Sequence, residues 1–181
     1  NTPNIPNFPT RGVFFYADKA GVYSNFKSYG GNVSFAYNVP LSTKNVNRFT
    51  FALQPGFVRK RVDKENLTWG EQYNPFIGFD NTVVPQDIDK IDSRTFLDIT
   101  AGVFWRYTSS IEDRVIHSVY AGFVASHLNN PDESVLSEQE NRLPVLYKLH
   151  GGVIFRVNAL SYFSLNYLSQ LQDLTNQTNV G

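Results

Sequence analysis

The sequence predicts an all-β protein: an antiparallel transmembrane β-barrel of the outer-membrane type, present here as an incomplete portion of the barrel. Three observations carry this. Strand-like runs alternate apolar and polar residues with period two. The connections between them alternate between short turns and long loops, as in a barrel with turns on one side of a membrane and loops on the other. Bulky aromatic residues gather where the runs end, at both ends, as interfacial girdles do.

The stretch 115–157 shows the pattern best. Tyr147, Leu149, Val153, Phe155 and Val157 fall on one face, and Lys148, His150, Gly152 and Arg156 on the other. Such a ribbon separates a greasy medium from a wet one. Earlier runs repeat it. After a Pro-rich segment, 1–11, read as an extended arm, 12–17 is a short strand, and 20–29 reads as a connection. Val33, Phe35, Tyr37 and Val39 alternate with small polar residues up to Pro40. Phe49, Phe51, Leu53 and Phe57 oppose Thr50, Ala52, Gln54 and Gly56. Pro55 lies inside that run, which suggests a bulge or an edge position.

A long polar loop, 60–93, follows. Leu97, Ile99, Ala101, Val103, Trp105 and Tyr107 then oppose Asp98, Thr100, Gly102 and Arg106. Val119, Ala121, Phe123 and Ala125 climb to a second long loop, 128–143. Phe163, Leu165 and Tyr167 make the last full strand, 172–178 is polar, and 179–181 reads as the start of another strand. Tyr37, Phe49, Trp105, Tyr107 and Phe163 lie beside short turns, and Phe57 and Tyr147 beside long loops. The whole of 1–181 reads as one partial barrel domain of about seven strands, an odd count for a bacterial barrel, so further strands or a closing partner are expected.

Composition narrows the classes. The 181 residues suffice for one domain. Sixteen basic and sixteen acidic residues cancel, which leaves no basic excess for nucleic acid. There is no cysteine, so neither disulfides nor thiolate chemistry can contribute. There is no methionine either, and the sequence starts Asn-Thr-Pro, which points to processing or truncation. No apolar run is long enough for a transmembrane helix, a test that barrel strands escape.

Catalytic, cofactor and metal sites are not expected. His127 and His150 flank the second long loop, and Asp132 and Glu133 lie within it, but proximity in sequence does not make a convergent ligand set. Asp87, Asp89 and Asp92 lack the spacing and the glycine of a calcium loop. Ser126 and His127 are adjacent and point to opposite faces of a strand, a poor arrangement for a nucleophile and its base. The loop and hairpin rim, with His127, Asn129, Asp132, Glu133 and His150, is instead the candidate partner-binding site.

Several ordered motifs resemble one family. Tyr120-Ala-Gly-Phe-Val-Ala-Ser-His-Leu-Asn129, then Arg142-Leu-Pro-Val-Leu-Tyr-Lys-Leu-His-Gly-Gly152, are similar to the PorP/SprF outer-membrane proteins of Bacteroidota. Tyr16-Ala-Asp-Lys-Ala-Gly-Val-Tyr23 and Phe51-Ala-Leu-Gln-Pro-Gly-Phe57 look like that family's early strands. The resemblance covers nearly the whole chain. It implies an integral protein of the Gram-negative outer membrane, a non-enzymatic component of type IX secretion. The implied partners are outer-membrane lipid, secreted adhesins with a C-terminal sorting domain, and other secretion components, including a periplasmic peptidoglycan-linked protein. A role in gliding motility is implied in some bacteria. No cofactor and no nucleic acid are implied.

Val33, Phe35, Phe51, Leu53, Ile99, Val103, Phe123 and Val153 would then face lipid. Two alternatives stand beside this reading. A porin would use Asp98, Arg106, Lys148 and Arg156 for selectivity. A soluble β-sandwich binding protein would show the same alternation with its apolar face turned inward.

Overall fold

Period-two sequences can hold their register only when one face is committed to one medium, and the chain builds a single sheet on that rule. The computed structural model describes residues 9–19, 26–42, 46–64, 67–85, 88–91, 93–109, 115–136, 139–158 and 160–181. Its strands are β1 Thr10–Lys19, β2 Phe26–Pro40, β3 Asn47–Val62, β4 Tyr73–Asn74, β5 Gly78–Phe79, β6 Arg94–Thr108, β7 Ile116–Ser126, β8 Leu146–Arg156, β9 Tyr162–Gln172 and β10 Thr175–Val180. Eight of them form one antiparallel meander in the order β1-β2-β3-β6-β7-β8-β9-β10, and β4 pairs with β5 alone. Among the described residues β1 and β10 each have a partner on one side, so the sheet is open rather than a closed barrel.

Residues opposite one another in an antiparallel ladder lie on the same face, so the register reads out both surfaces. One row runs Tyr37, Phe51, Val103, Phe123, Leu149 across five strands. The next runs Phe35, Leu53, Ala101, Ala125, Tyr147, Leu171. The residues expected to face lipid all lie in this apolar set. Rows on the other face run Thr50, Phe104, Gly122, His150 and Arg48, Arg106, Tyr120, Gly152, Asn166.

Among the described residues no second layer covers the apolar face. Ala125 is the one buried hydrophobic residue among those described, whereas Phe35, Phe51, Leu53 and Phe123 are each between 42% and 50% exposed. A soluble sandwich needs a second sheet packed on the first. The other sheet here has two residues in each strand. A bare apolar face of this extent fits a lipid neighbour. Its height fits as well. On β3 the outward residues are apolar from Phe49 to Phe57, then charged at Arg59 and Arg61. That is the length a tilted strand needs to cross the hydrocarbon, about 9–11 residues. The expected girdles are in place. Phe49 and Phe51 rings lie 5.1 Å apart and Phe155 and Phe163 6.2 Å apart toward the short turns, and Phe123 and Tyr147 stack at 6.0 Å toward the long loops.

Several local expectations are corrected. Pro55 is neither at a bulge nor at an edge. It sits in β3, between β2 and β6, and the register is the same on both sides, with Asn32 opposite Gly56 and Phe35 opposite Leu53. Proline lacks only the donor; it stands opposite Ile99 on the β6 side, while the β2 ladder skips Val33 and Ser34. Thr10 and Arg11, assigned to the arm, belong to β1, and residues 1–8 lie outside those described. Residues 26–29 and 60–62 are strand, not connection. The last strand starts at Thr175, because Asp173 adopts a positive φ of 51° and closes a two-residue hairpin that sequence polarity hides.

An arginine at Val103 would place charge in the middle of the apolar face. Val103→Arg is expected to cost about 2–4 kcal/mol of folding stability in bilayers. Gln177→Arg, on the other face of β10, should change it by less than about 0.5 kcal/mol. Urea titration of the bilayer-inserted protein, followed by tryptophan fluorescence, measures both; equal losses would remove the lipid assignment of this face.

Candidate functional site

Both long connections leave the same rim of the sheet. Residues 63–93 join β3 to β6, and residues 127–145 join β7 to β8. β7 stops pairing with β6 at Ala125 opposite Ala101, so the first residues of β6 lose their neighbour on that side. The Asn129 side chain replaces it. Its Oδ1 accepts the Ile99 N–H at 3.1 Å and its Nδ2 donates to the Leu97 carbonyl at 2.7 Å, as an adjacent strand would. The Leu128 N–H donates to the Ile99 carbonyl at 2.9 Å and completes the patch. His127 holds the entry to this turn at a φ of 61°, with Nδ1 3.0 Å from Asp98 Oδ1.

The rest of this loop is folded against the same strand ends. Asp132 Oδ1 accepts the N–H groups of Asn141 at 2.9 Å and Ser134 at 3.1 Å, while its Oδ2 takes the Arg94 guanidinium. Glu133 pairs with Lys60 on β3 and also accepts Asn141 Nδ2 at 3.3 Å. The Lys60–Glu133 pair is part-buried on both sides, at 22% and 20% exposure, so it holds more firmly than an open surface pair, whereas the Arg94 partner of Asp132 is half exposed. The main-chain N–H groups of Asn141 and then Ser134, with Arg94 behind them, hold the Asp132 carboxyl below the ordinary carboxylate range. Leu136 bridges back to Ile91, which joins the two loops.

The other loop is less polar than its sequence suggests. Gln72 is buried and its Nε2 donates to the Val83 carbonyl at 3.0 Å, and the Asp80 N–H donates to the Gln72 carbonyl at 2.8 Å. This frame presents the β4–β5 hairpin. At its tip Phe76 is 94% and Ile77 72% exposed.

Four of the five candidate residues, His127, Asn129, Asp132 and Glu133, therefore meet at one rim. His150 does not join them. It lies within β8 on the polar face, with its ring over Gly122 and stacked on Phe104 at 5.8 Å. His117 is elsewhere again, 5.1 Å from the Tyr162 ring. Among the described residues no three His, Asp or Glu side chains converge as a metal set. Of the acidic run considered for calcium, Asp87 and Asp92 lie outside the described residues, and Asp89 is in a short 3-10 turn. The residues that sequence reasoning missed are Lys60, Arg94 and Asn141. Lys60 is 73 positions from its partner and Arg94 is 38, and only the sheet brings them together.

Asn129→Ala removes both arms of the side-chain bridge. The Ile99 amide should then exchange hydrogen roughly fivefold faster, as expected for about 1 kcal/mol of lost hydrogen bonding; unchanged exchange would show that Asn129 does not cap β6. For Asp132 the folded pKa is depressed, so its contribution is full above the unfolded value of about 3.9 and disappears as pH falls through the lower folded value. Amide protection at Ser134 and Asn141 should persist through pH 4 to 5 and collapse only below it. Protection lost already at pH 5 would contradict this geometry.

Comparison with known proteins identifies one family. A family model described as the type IX secretion system membrane protein PorP/SprF matches residues 7–181. Searches of the curated proteins and of the solved structures give no match. The apolar sheet face, the ordered loop rim and the match over nearly the full length agree: this chain belongs to the PorP/SprF family of type IX secretion system membrane proteins.

Proposed function

We propose that the protein sits in the outer membrane and acts by binding and anchoring rather than by catalysis, with the long-loop rim as the docking surface for a secreted adhesin carrying a C-terminal sorting domain. The observation that supports this most directly is the contrast within that rim. Asp98, Asp132 and Glu133 are engaged internally, by His127, Arg94 and Lys60, while Phe76 and Ile77 are held out at a hairpin tip. Rigid loops presenting a few apolar anchors are how binding surfaces concentrate their energy. In this reading His127, Asn129, Asp132 and Glu133 position the surface and do not themselves contact the partner. Linkage to a periplasmic peptidoglycan-bound component would use the opposite, short-turn rim, and a contribution to gliding motility would follow from display of the adhesin. A solute channel is the second reading, supported by the polar face with Arg106 and Lys148; a steady conductance in planar bilayers would favour it.

The test is the double variant Phe76→Ser/Ile77→Ser. Surface display of the adhesin should fall at least tenfold, since anchor residues at such tips contribute about 2 kcal/mol or more, with the amount of heat-modifiable protein unchanged. Normal display at normal protein levels would remove this hairpin as the docking surface.

A further inference from the structure

We propose that the short-turn rim of the polar face carries an oxyanion site, built on Arg48 and Arg106, that takes a phosphate group. Arg48 and Arg106 stand directly opposite each other on β3 and β6. Like charges in that relation repel and destabilise a sheet. At the other rim the cations on the same face are neutralised: Lys60 by Glu133 and Arg94 by Asp132. Neither Arg48 nor Arg106 has a carboxylate partner among the described residues. Their nearest polar neighbour along the row, Tyr120, is already committed, donating its hydroxyl to Asn166 Oδ1 at 2.6 Å.

Between the two arginines lies a cavity of about 300 Å³, lined by Val46, Arg48, Arg106 and Thr108. Its frame is fixed, because the Thr108 N–H donates to the Val46 carbonyl at 2.8 Å. The Thr108 hydroxyl has no partner among the described residues. Two arginines and one threonine line a space large enough for a tetrahedral oxyanion. Guanidinium groups match such an anion with paired N–H donors, and the anion removes the repulsion between them. The phosphate could be free in solution or belong to a lipid headgroup at the rim.

The experiment is a calorimetric titration of the purified full chain in neutral detergent with inorganic phosphate, alongside its thermal unfolding with and without phosphate. Saturable binding is expected in the wild type. It should weaken roughly tenfold in Arg48→Gln and in Arg106→Gln, each losing charged hydrogen bonds, and be unchanged in Arg59→Gln at the opposite rim. In phosphate-free buffer Arg106→Gln should unfold at or above the wild-type temperature, because repulsion is relieved. A purely structural arginine would give the reverse, and that reverse overturns the proposal. Equal effects of phosphate on all four proteins would be a bulk salt effect and would also overturn it. Glu112 and Asp113 lie in the connection that follows β6. A wild type silent to phosphate, with binding in a Glu112→Gln/Asp113→Asn variant, would replace the proposal with an internal ion pair. Repeating the titration in phosphatidylcholine bilayers with and without phosphatidylglycerol assigns the source. Phosphate binding lost with phosphatidylglycerol identifies a headgroup site; binding retained identifies a free-anion site.

Discussion

The structure depends on keeping every backbone donor and acceptor of the apolar band inside the hydrogen-bonded ladder. In hydrocarbon an unpaired N–H or C=O costs several kcal/mol, so a chain that turns an apolar face outward can do so only as continuous sheet. The consecutive meander meets this demand with neighbours that are also next in sequence. The same demand explains the smaller adjustments. Pro55 is tolerated inside the sheet because the register carries on past it. Where β7 leaves β6 early, the Asn129 carboxamide supplies the missing acceptor and donor. It also bears on β1 and β10, whose outer edges are unpaired among the described residues and must be satisfied in the bilayer.

Committing one face to lipid leaves the other to organise itself with polar and aromatic side chains on a surface that has no apolar core. Glycines make this workable. At Gly122 an added Cβ would lie 2.3 Å from the His150 ring, and at Gly152 it would lie 2.7 Å from the Tyr120 hydroxyl. The first gap lets His150 stack on Phe104 and reach the side of Tyr120. The second lets Tyr120 cross a strand to reach Asn166. These glycines are part of how the polar face packs, and their motif positions in the sequence carry that meaning rather than any chemistry.

What was legible in the sequence was whatever period two encodes. The outward rows, the aromatic bands and the two long loops follow from alternation and spacing, because a strand's faces are fixed by local geometry. What was not legible depended on ladder partners. Residues 26–29 and 60–62 read as polar connections, yet they extend β2 and β3 beyond the membrane band, where polar strand is stable as long as it is paired. The rim site was half visible. Its loop residues stood out, but Lys60 and Arg94 gained their roles only from register, and His150 was misplaced because two residues can flank one loop and still end at different heights on the sheet.

The two rims of the sheet differ in how their charge is settled, and this gives the molecule a direction. At the long-loop rim Lys27, Lys60 and Arg94 each meet a carboxylate from a neighbouring strand or loop, and apolar tips stand beyond them. Salt screens the part-buried Lys60–Glu133 pair less than the exposed Arg142–Glu140 pair beside it. At the short-turn rim Arg48 and Arg106 are brought together by the ladder itself, and only a change of register would move their backbone positions apart. A fold that tolerates this repulsion at a fixed place has an electrostatic demand there that an anion from outside the sheet satisfies, so the two ends of one β-sheet are suited to partners of different chemistry.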